Sequence, residues 1–246
     1  MQLRLLTYNI HKAIGGVDRR YRPERIIEVV AYYNPDVICL QEVDEGVKRS
    51  QFHQQAEMLA DAWGYAHRCY QRNVTVKDGH YGNAIISRWP LTDPVDVDLT
   101  IPLKKRRQAL VARCHPRHEG HERTLGVASL HLGLAGFERK RQLRRLLSCE
   151  ALSHFSPRTP LLLAGDYNDV YGELGRAVMR PAGFARAGGA PRTFPAAAPL
   201  RSLDKVFYRG EIAPLHTFTG RTKLARQASD HLPLIADFEL TGMADG

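Results

Sequence analysis

The chain has 246 residues, and its hydrophobic (43%) and charged (25%) fractions are those of a soluble globular protein able to bury a substantial core. No apolar stretch is long enough to span a bilayer. Met1-Gln2-Leu3-Arg4 lacks the charged-then-apolar pattern of a secretory leader, and the four widely spaced cysteines form no C-x-x-C pair, so a reduced, cytoplasmic compartment is expected. A formal net charge of +9 favours an anionic partner without choosing between nucleic acid, a phospholipid surface and a phosphorylated small molecule.

In chain order, a strand is predicted over 3–9, followed by a loop over 11–20 rich in glycine and charge. Pro23-Glu24 suits a helix start, with Ile26, Ile27, Val29 and Val30 as its apolar side, and Asn34-Pro35-Asp36 breaks it before a strand over 37–40. A second helix is read over 54–63, where Ala56, Leu59, Ala60 and Trp63 recur at helical spacing. A polar segment over 72–80 leads into a strand over 81–87, which Trp89-Pro90 ends. Segments 109–114 and 124–131 read as a strand pair joined by a polar turn. The longest helix is predicted over 138–152, with Leu143, Leu146 and Leu147 on its buried face and much of the Arg139-Lys140-Arg141 and Arg144-Arg145 clusters in solvent. Strands over 161–164, 205–208 and 234–240 complete the pattern, with a loop over 183–200 rich in glycine, alanine, proline and arginine. Strands alternating with helices, plus strand pairs, indicate an α/β fold with a mixed sheet.

The most informative segment is Leu161-Leu162-Leu163-Ala164-Gly165-Asp166-Tyr167-Asn168, an apolar strand running into glycine and two oxygen-bearing side chains. Alternate residues of a strand point the same way, so Asp166 and Asn168 can aim into one cleft, and Gly165 gives the backbone freedom to turn. An isolated G-D-x-N is equally how an Asx-turn closes a strand. Recurrence is what favours a site: apolar runs also end at Asn9, at Glu42 and at His131, Asp204 lies inside a strand-like run, and Ser229-Asp230-His231 precedes another. These residues reach from one end of the chain to the other, so they converge only if 1–246 form a single domain. Oxygen donors of this kind suit a hard cation or the activation of water.

The ordered set Asn9, Glu42, Gly82-Asn83, His131, Asp166-x-Asn168, Asp204 and Ser229-Asp230-His231 resembles the endonuclease/exonuclease/phosphatase superfamily over nearly the whole chain. These are metal-dependent phosphoesterases related to pancreatic-type DNases, abasic-site endonucleases, sphingomyelinases and inositol-polyphosphate phosphatases. The resemblance implies a four-layer α/β sandwich (DNase I-like), two mixed sheets packed face to face with helices outside. It further implies that Glu42 is the principal Mg²⁺ (or Mn²⁺) ligand with Asn9 beside it and Asp230 close by. Asp166, helped by Asn168, would deprotonate the attacking water; His231, positioned by Asp204, would contact the scissile phosphate; Asn83, His131 and Arg107 would address phosphate oxygens. His11, Lys12 and His80 flank these motifs as weaker candidates.

Departures from the branches bear on substrate. Abasic-site endonucleases usually carry threonine and lysine after the metal glutamate, where this chain has Val43-Asp44, and Ser129-Leu130-His131-Leu132-Gly133-Leu134 looks like the sphingomyelinase, DNase and general phosphodiesterase branches. Asn9-Ile10-His11-Lys12 and Arg192-Thr193-Phe194-Pro195 look most like a small bacterial subgroup of uncharacterised members. The expected activity is hydrolysis of a phosphodiester or phosphomonoester in nucleic acid, phospholipid or a small molecule. A catalytically silent scaffold that kept the fold for binding is the alternative.

Overall fold

Period-two alternation along the apolar strands sets the architecture. The computed structural model describes residues 1–118 and 120–241. Its strands are β1 (Gln2–Asn9), β2 (Val37–Glu45), β3 (His67–Val76), β4 (Gly79–Ser87), β5 (Leu91–Asp98), β6 (Gln108–Cys114), β7 (Arg117–His118), β8 (His121–Glu122), β9 (Leu125–His131), β10 (Leu161–Asp166), β11 (Ala185–Arg186), β12 (Asp204–Arg209), β13 (Ile212–Thr219) and β14 (Leu234–Leu240). The helices are α1 (Pro23–Tyr33), α2 (Gln55–Trp63), α3 (Gly136–Leu147), α4 (Glu150–Ser153) and α5 (Ala225–Ala228). One six-stranded sheet runs β13-β14-β1-β2-β4-β3 and the other β11-β12-β10-β9-β6-β5.

Each sheet has one parallel pair at its heart, β1 with β2 and β9 with β10, and antiparallel neighbours around it. One face of the first sheet (Leu6, Tyr8, Ile38, Leu40) packs on α1 and α2, and one face of the second (Ala128, Leu130, Leu161, Leu163) packs on α3 and α4. The remaining faces meet each other through Leu5, Val37, Cys39 and Ile85 from the first sheet and Leu110, Val127, Leu162, Ala164 and Val206 from the second. This is the expected four-layer sandwich.

The expected 138–152 helix is two helices, because Cys149 adopts an extended conformation between α3 and α4. The polar segment before β4 belongs largely to β3, and β5, β11 and β13 are strands that the apolar pattern did not announce. Gly165 continues β10 instead of turning it. A Cβ there would lie 2.0 Å from the Leu130 carbonyl oxygen of the neighbouring strand, so close approach of β10 to β9 is what requires glycine.

Candidate active site

The inner faces change character along the strands. On β1 the side chains facing the other sheet are Leu3, Leu5, Thr7 and Asn9; on β10 they are Leu162, Ala164 and Asp166; on β9, Val127, Ser129 and His131. The apolar interlayer therefore passes into a polar layer, where buried Gln41 donates to Ser129 Oγ (3.1 Å) and Ser129 donates to the Leu40 carbonyl (3.2 Å). Beyond it lies a cluster of ionisable groups. Parallel pairing puts the ends of β1 and β2 together (Asn9 opposite Gln41) and those of β9 and β10 together (His131 opposite Asp166), while β12 sets Asp204 opposite Asp166.

Glu42 reaches this cluster through a defect. The register of β2 on β4 shifts between Gln41 and Val43, and Glu42 takes φ 56°, a left-handed conformation uncommon for a side chain of its size. Without the bulge, Glu42 would follow Leu40 to the helix side. With it, Val43 returns to that apolar layer and Glu42 Oε1 lies 3.9 Å from His131 Nδ1. Its other oxygen accepts from Lys12 Nζ.

Asp166 is the hub. Its Oδ2 accepts from Asn9 Nδ2 (3.2 Å) and lies 3.4 Å from His131 Nε2 and 3.8 Å from His231 Nε2. Its Oδ1 accepts from the Asn168 backbone N–H (2.9 Å), so the Asx-turn and the site residue are the same carboxylate. Asn168 lies past the strand end at φ 51° and donates from Nδ2 to the Leu132 carbonyl (2.9 Å). His231 donates from Nδ1 to Asp204 Oδ2 (2.8 Å), its backbone N–H is held by Ser229 Oγ (3.2 Å), and the Phe194 ring lies 4.9 Å from its own. Ser229 Oγ also donates to the Asn9 carbonyl (2.7 Å), which ties Asp230 to the end of β1.

The two histidines differ in charge for a physical reason. Burial, assisted by Arg107, pushes His131 down to about 4 and leaves it neutral at ordinary pH. Burial also opposes the charge on His231, but Asp204 and Asp166 outweigh it and raise the ring to about 10. For Glu42, burial is likewise opposed, by His131 and Lys12, and the carboxyl ends well below its usual range. Since His131 is neutral above about pH 4, Lys12 is the partner that keeps Glu42 ionised.

Arg107, expected at the edge of a basic run, is only 5% exposed, and its Nε and Nη1 have no hydrogen-bond partner among the described residues. Asn83 differs from expectation. Both its amide hydrogens are engaged, by Gln71 Oε1 (2.9 Å) and the Gln108 carbonyl (3.1 Å), so it braces β4 against β3 and β6 and has none left for an anion. Asp230 Oδ1 lies 4.0 Å from His11 Nδ1 and accepts from Ser229 Oγ (3.4 Å). Lys12 is stronger than its sequence context conveyed. Gln55 holds its carbonyl (2.8 Å), and Tyr81 sits beneath Lys12 and Lys105 at 5.7 and 5.2 Å.

Two groups of residues carry metal-ligating atoms. Asp166, Asp204 and His231 offer ligand atoms within 4.8 Å of one another. His231 Nδ1 is already committed to Asp204 there (2.8 Å), while His231 Nε2 faces Asp166 Oδ2 at 3.8 Å. Asn9 and Glu42 stand at the adjacent ends of the parallel β1–β2 pair, Asp230 follows Ser229, whose Oγ is tied to the Asn9 carbonyl, and Lys12 places an ammonium against Glu42. The oxygen atoms of Asn9, Glu42 and Asp230 are donors of the kind a small divalent ion takes.

Known proteins share this fold. A model of the endonuclease/exonuclease/phosphatase family matches residues 6–231. The uncharacterised protein YbhP of Escherichia coli K12 is 32% identical over 255 residues, covering 96% of this chain and 96% of its own. The crystal structure of an endonuclease/exonuclease/phosphatase from Beutenbergia cavernae superposes with a TM-score of 0.81 at 25% identity, over 98% of this chain and 72% of that one. The catalytic domain of human nocturnin, solved with a bound sulfate anion, shares the fold at a TM-score of 0.75 and 22% identity, over 98% of this chain and 94% of that one. The chain belongs to the endonuclease/exonuclease/phosphatase family.

Proposed function

We propose that the protein is a divalent-metal-dependent phosphoesterase that hydrolyses a phosphodiester or phosphomonoester by direct attack of water. The observation that carries this reading is the Asp166 carboxylate set between His131 Nε2 (3.4 Å) and His231 Nε2 (3.8 Å), with His231 held from behind by Asp204. Such an arrangement places a proton acceptor beside an oriented hydrogen-bond donor.

Asn9, Glu42 and Asp230 would hold a Mg²⁺ or Mn²⁺ ion, which when bound supplies Lewis-acid stabilisation of charge on the phosphoryl oxygens. Asp166 takes the proton from the water as its oxygen bonds to phosphorus and the P–O bond to the leaving group breaks, the departing alkoxide taking its proton from solvent, and Asn168 fixes the Asp166 rotamer through its backbone N–H. His231 presents Nε2–H to a non-bridging oxygen, and Asp204 keeps its ring charged and oriented. Arg107 brings two unpartnered donors to the same anion. His131 contributes an uncharged ring beside Asp166, and Asn83 acts through the strands it braces.

The test is a panel of plasmid DNA, abasic DNA, RNA, phospholipid and a generic aryl phosphodiester, each with Mg²⁺ or Mn²⁺. Metal-dependent release from at least one substrate, lost in Asp166→Asn, is expected. Metal binding with no turnover on any of them would favour the silent scaffold.

A further inference from the structure

The rim around Asp166 and His131 is built from side chains the fold does not use. Among the described residues, eleven large apolar side chains are exposed, and five of them lie on three neighbouring stretches: Leu103 between β5 and β6, Leu134 between β9 and α3 with Phe137 in the first turn of α3, and Val170 and Tyr171 after β10. Those stretches adjoin the site residues Arg107, His131 and Asp166. Exposure is extreme at three positions, with Leu103 at 105%, Tyr171 at 83% and Leu134 at 75%. Leu103 also takes φ 62°, so the loop adopts a left-handed turn that sends a leucine into solvent with no internal contact to compensate.

The stretches form one surface. Lys104 Nζ stands 5.6 Å over the Phe137 ring, Lys140 pairs with Glu173 at 3.1 Å, and Arg145 Nη1 donates to the Thr100 carbonyl at 3.3 Å. Cations are interleaved with the apolar tips. Lys104, Lys105 and Arg106 follow Leu103 directly, and all three are exposed.

We infer that this rim docks on an anionic phospholipid bilayer and that the phosphoester delivered to Asp166 belongs to a lipid head group. The second half rests on the phosphoesterase reading; the first does not. Exposed leucine, valine and phenylalanine beside lysine and arginine is the composition of an interfacial contact, with apolar tips in the acyl boundary and cations at the head groups. Single-stranded nucleic acid would use the cations and the two aromatic rings, yet leave Leu103, Leu134 and Val170 without a function, because aliphatic tips offer bases no stacking face. The geometry also suits a head group. The rim borders the site on the side of the second sheet, so a surface lying on it brings its phosphates beside the cluster.

The experiment is vesicle co-sedimentation of the full chain in EDTA, using phosphatidylcholine alone and phosphatidylcholine with about one-third phosphatidylglycerol. The variants are Leu103→Ser with Phe137→Ser, and Lys104→Gln with Lys105→Gln and Arg106→Gln, each checked by thermal melting because these side chains lie on the surface. Wild type is expected to bind the anionic vesicles at least about 10-fold more tightly than the neutral ones, the apolar variant to lose about 10-fold, and the triple glutamine variant to lose the anionic preference. Equal sedimentation of wild type and both variants overturns docking. So does a loss of affinity by the apolar variant for a single-stranded oligonucleotide with none for vesicles. Turnover is then read with Mn²⁺. Release of head group or phosphate from bound vesicles supports the substrate. Activity on the aryl phosphodiester with none on bound vesicles overturns the lipid substrate alone, and vesicle binding with no activity on either overturns the phosphoesterase reading and leaves docking standing.

Discussion

Replacing Asp204 by asparagine removes one charge and keeps an oxygen to accept from the His231 ring. Against the effect of burial, Asp204, Asp166 and Asp230 raise His231 from 6.5 to about 10. At about 1.4 kcal/mol per unit, the protein favours the imidazolium by about 5 kcal/mol relative to a free ring. A hydrogen-bonded opposite charge supplies about 1–3 of those units, so the variant brings His231 down by about 2, to near 8. At pH 7 both proteins carry the charge. At pH 9 the charged fraction falls from roughly nine-tenths to one-tenth, so the ratio of wild-type to variant kcat grows about 10-fold between pH 7 and 9. The folded pKa lies above the unfolded value, so His231 stabilises the fold fully below pH 6.5 and loses that contribution as pH rises towards 10. The Tm deficit of Asp204→Asn is therefore larger at pH 6 than at pH 10. The assays are kcat against pH on an aryl phosphodiester, NMR titration of the imidazole and melting at the two pH values. A pH-independent kcat ratio together with an unmoved His231 titration would refute the reasoning.

Asp166→Asn should lower kcat by about 10²-fold or more with the melting temperature nearly kept, the scale of removing a positioned base; activity lost only in proportion to lost folded protein would make the residue structural. Lys12→Met should tighten Mn²⁺ binding several-fold by calorimetry, since it removes the ammonium that competes at Glu42, and a weaker affinity would show that Lys12 supports the metal site instead. Gly165→Ala should destabilise the protein by roughly 1–3 kcal/mol in urea unfolding, because the new Cβ meets the Leu130 carbonyl at 2.0 Å; an unchanged midpoint would show that β9 and β10 can part there.

Much of this arrangement is legible in the sequence, and the missing parts share a cause. Central strands such as β1, β2, β9 and β10 are buried on both faces and read as apolar runs, so their ends, where Asn9, His131 and Asp166 sit, stand out. Four of the strands the pattern missed, β3, β5, β11 and β13, are the edges of the two six-stranded sheets. Edge strands face solvent, and Pro94 and Pro214 sit where the registers of β5 and β13 shift, so polarity and proline hide them. The broken 138–152 helix kept its apolar spacing across Cys149, where no proline or glycine marks the break. Within the site, the missing parts are tertiary. A bulge aims Glu42, a loop held by Gln55 brings Lys12 to it, and Gln71 with the Gln108 carbonyl turns Asn83 inward. No local spacing encodes any of these.

The most direct test of the central claim is turnover of an aryl phosphodiester by wild type and Glu42→Gln across a Mg²⁺ or Mn²⁺ titration, with metal binding measured on the same samples. Wild-type turnover is expected to vanish in EDTA and return with metal, while Glu42→Gln stays folded, binds metal far more weakly and shows no turnover at any modest concentration. Near-normal turnover by Glu42→Gln, or wild-type turnover that persists in EDTA, would contradict the account.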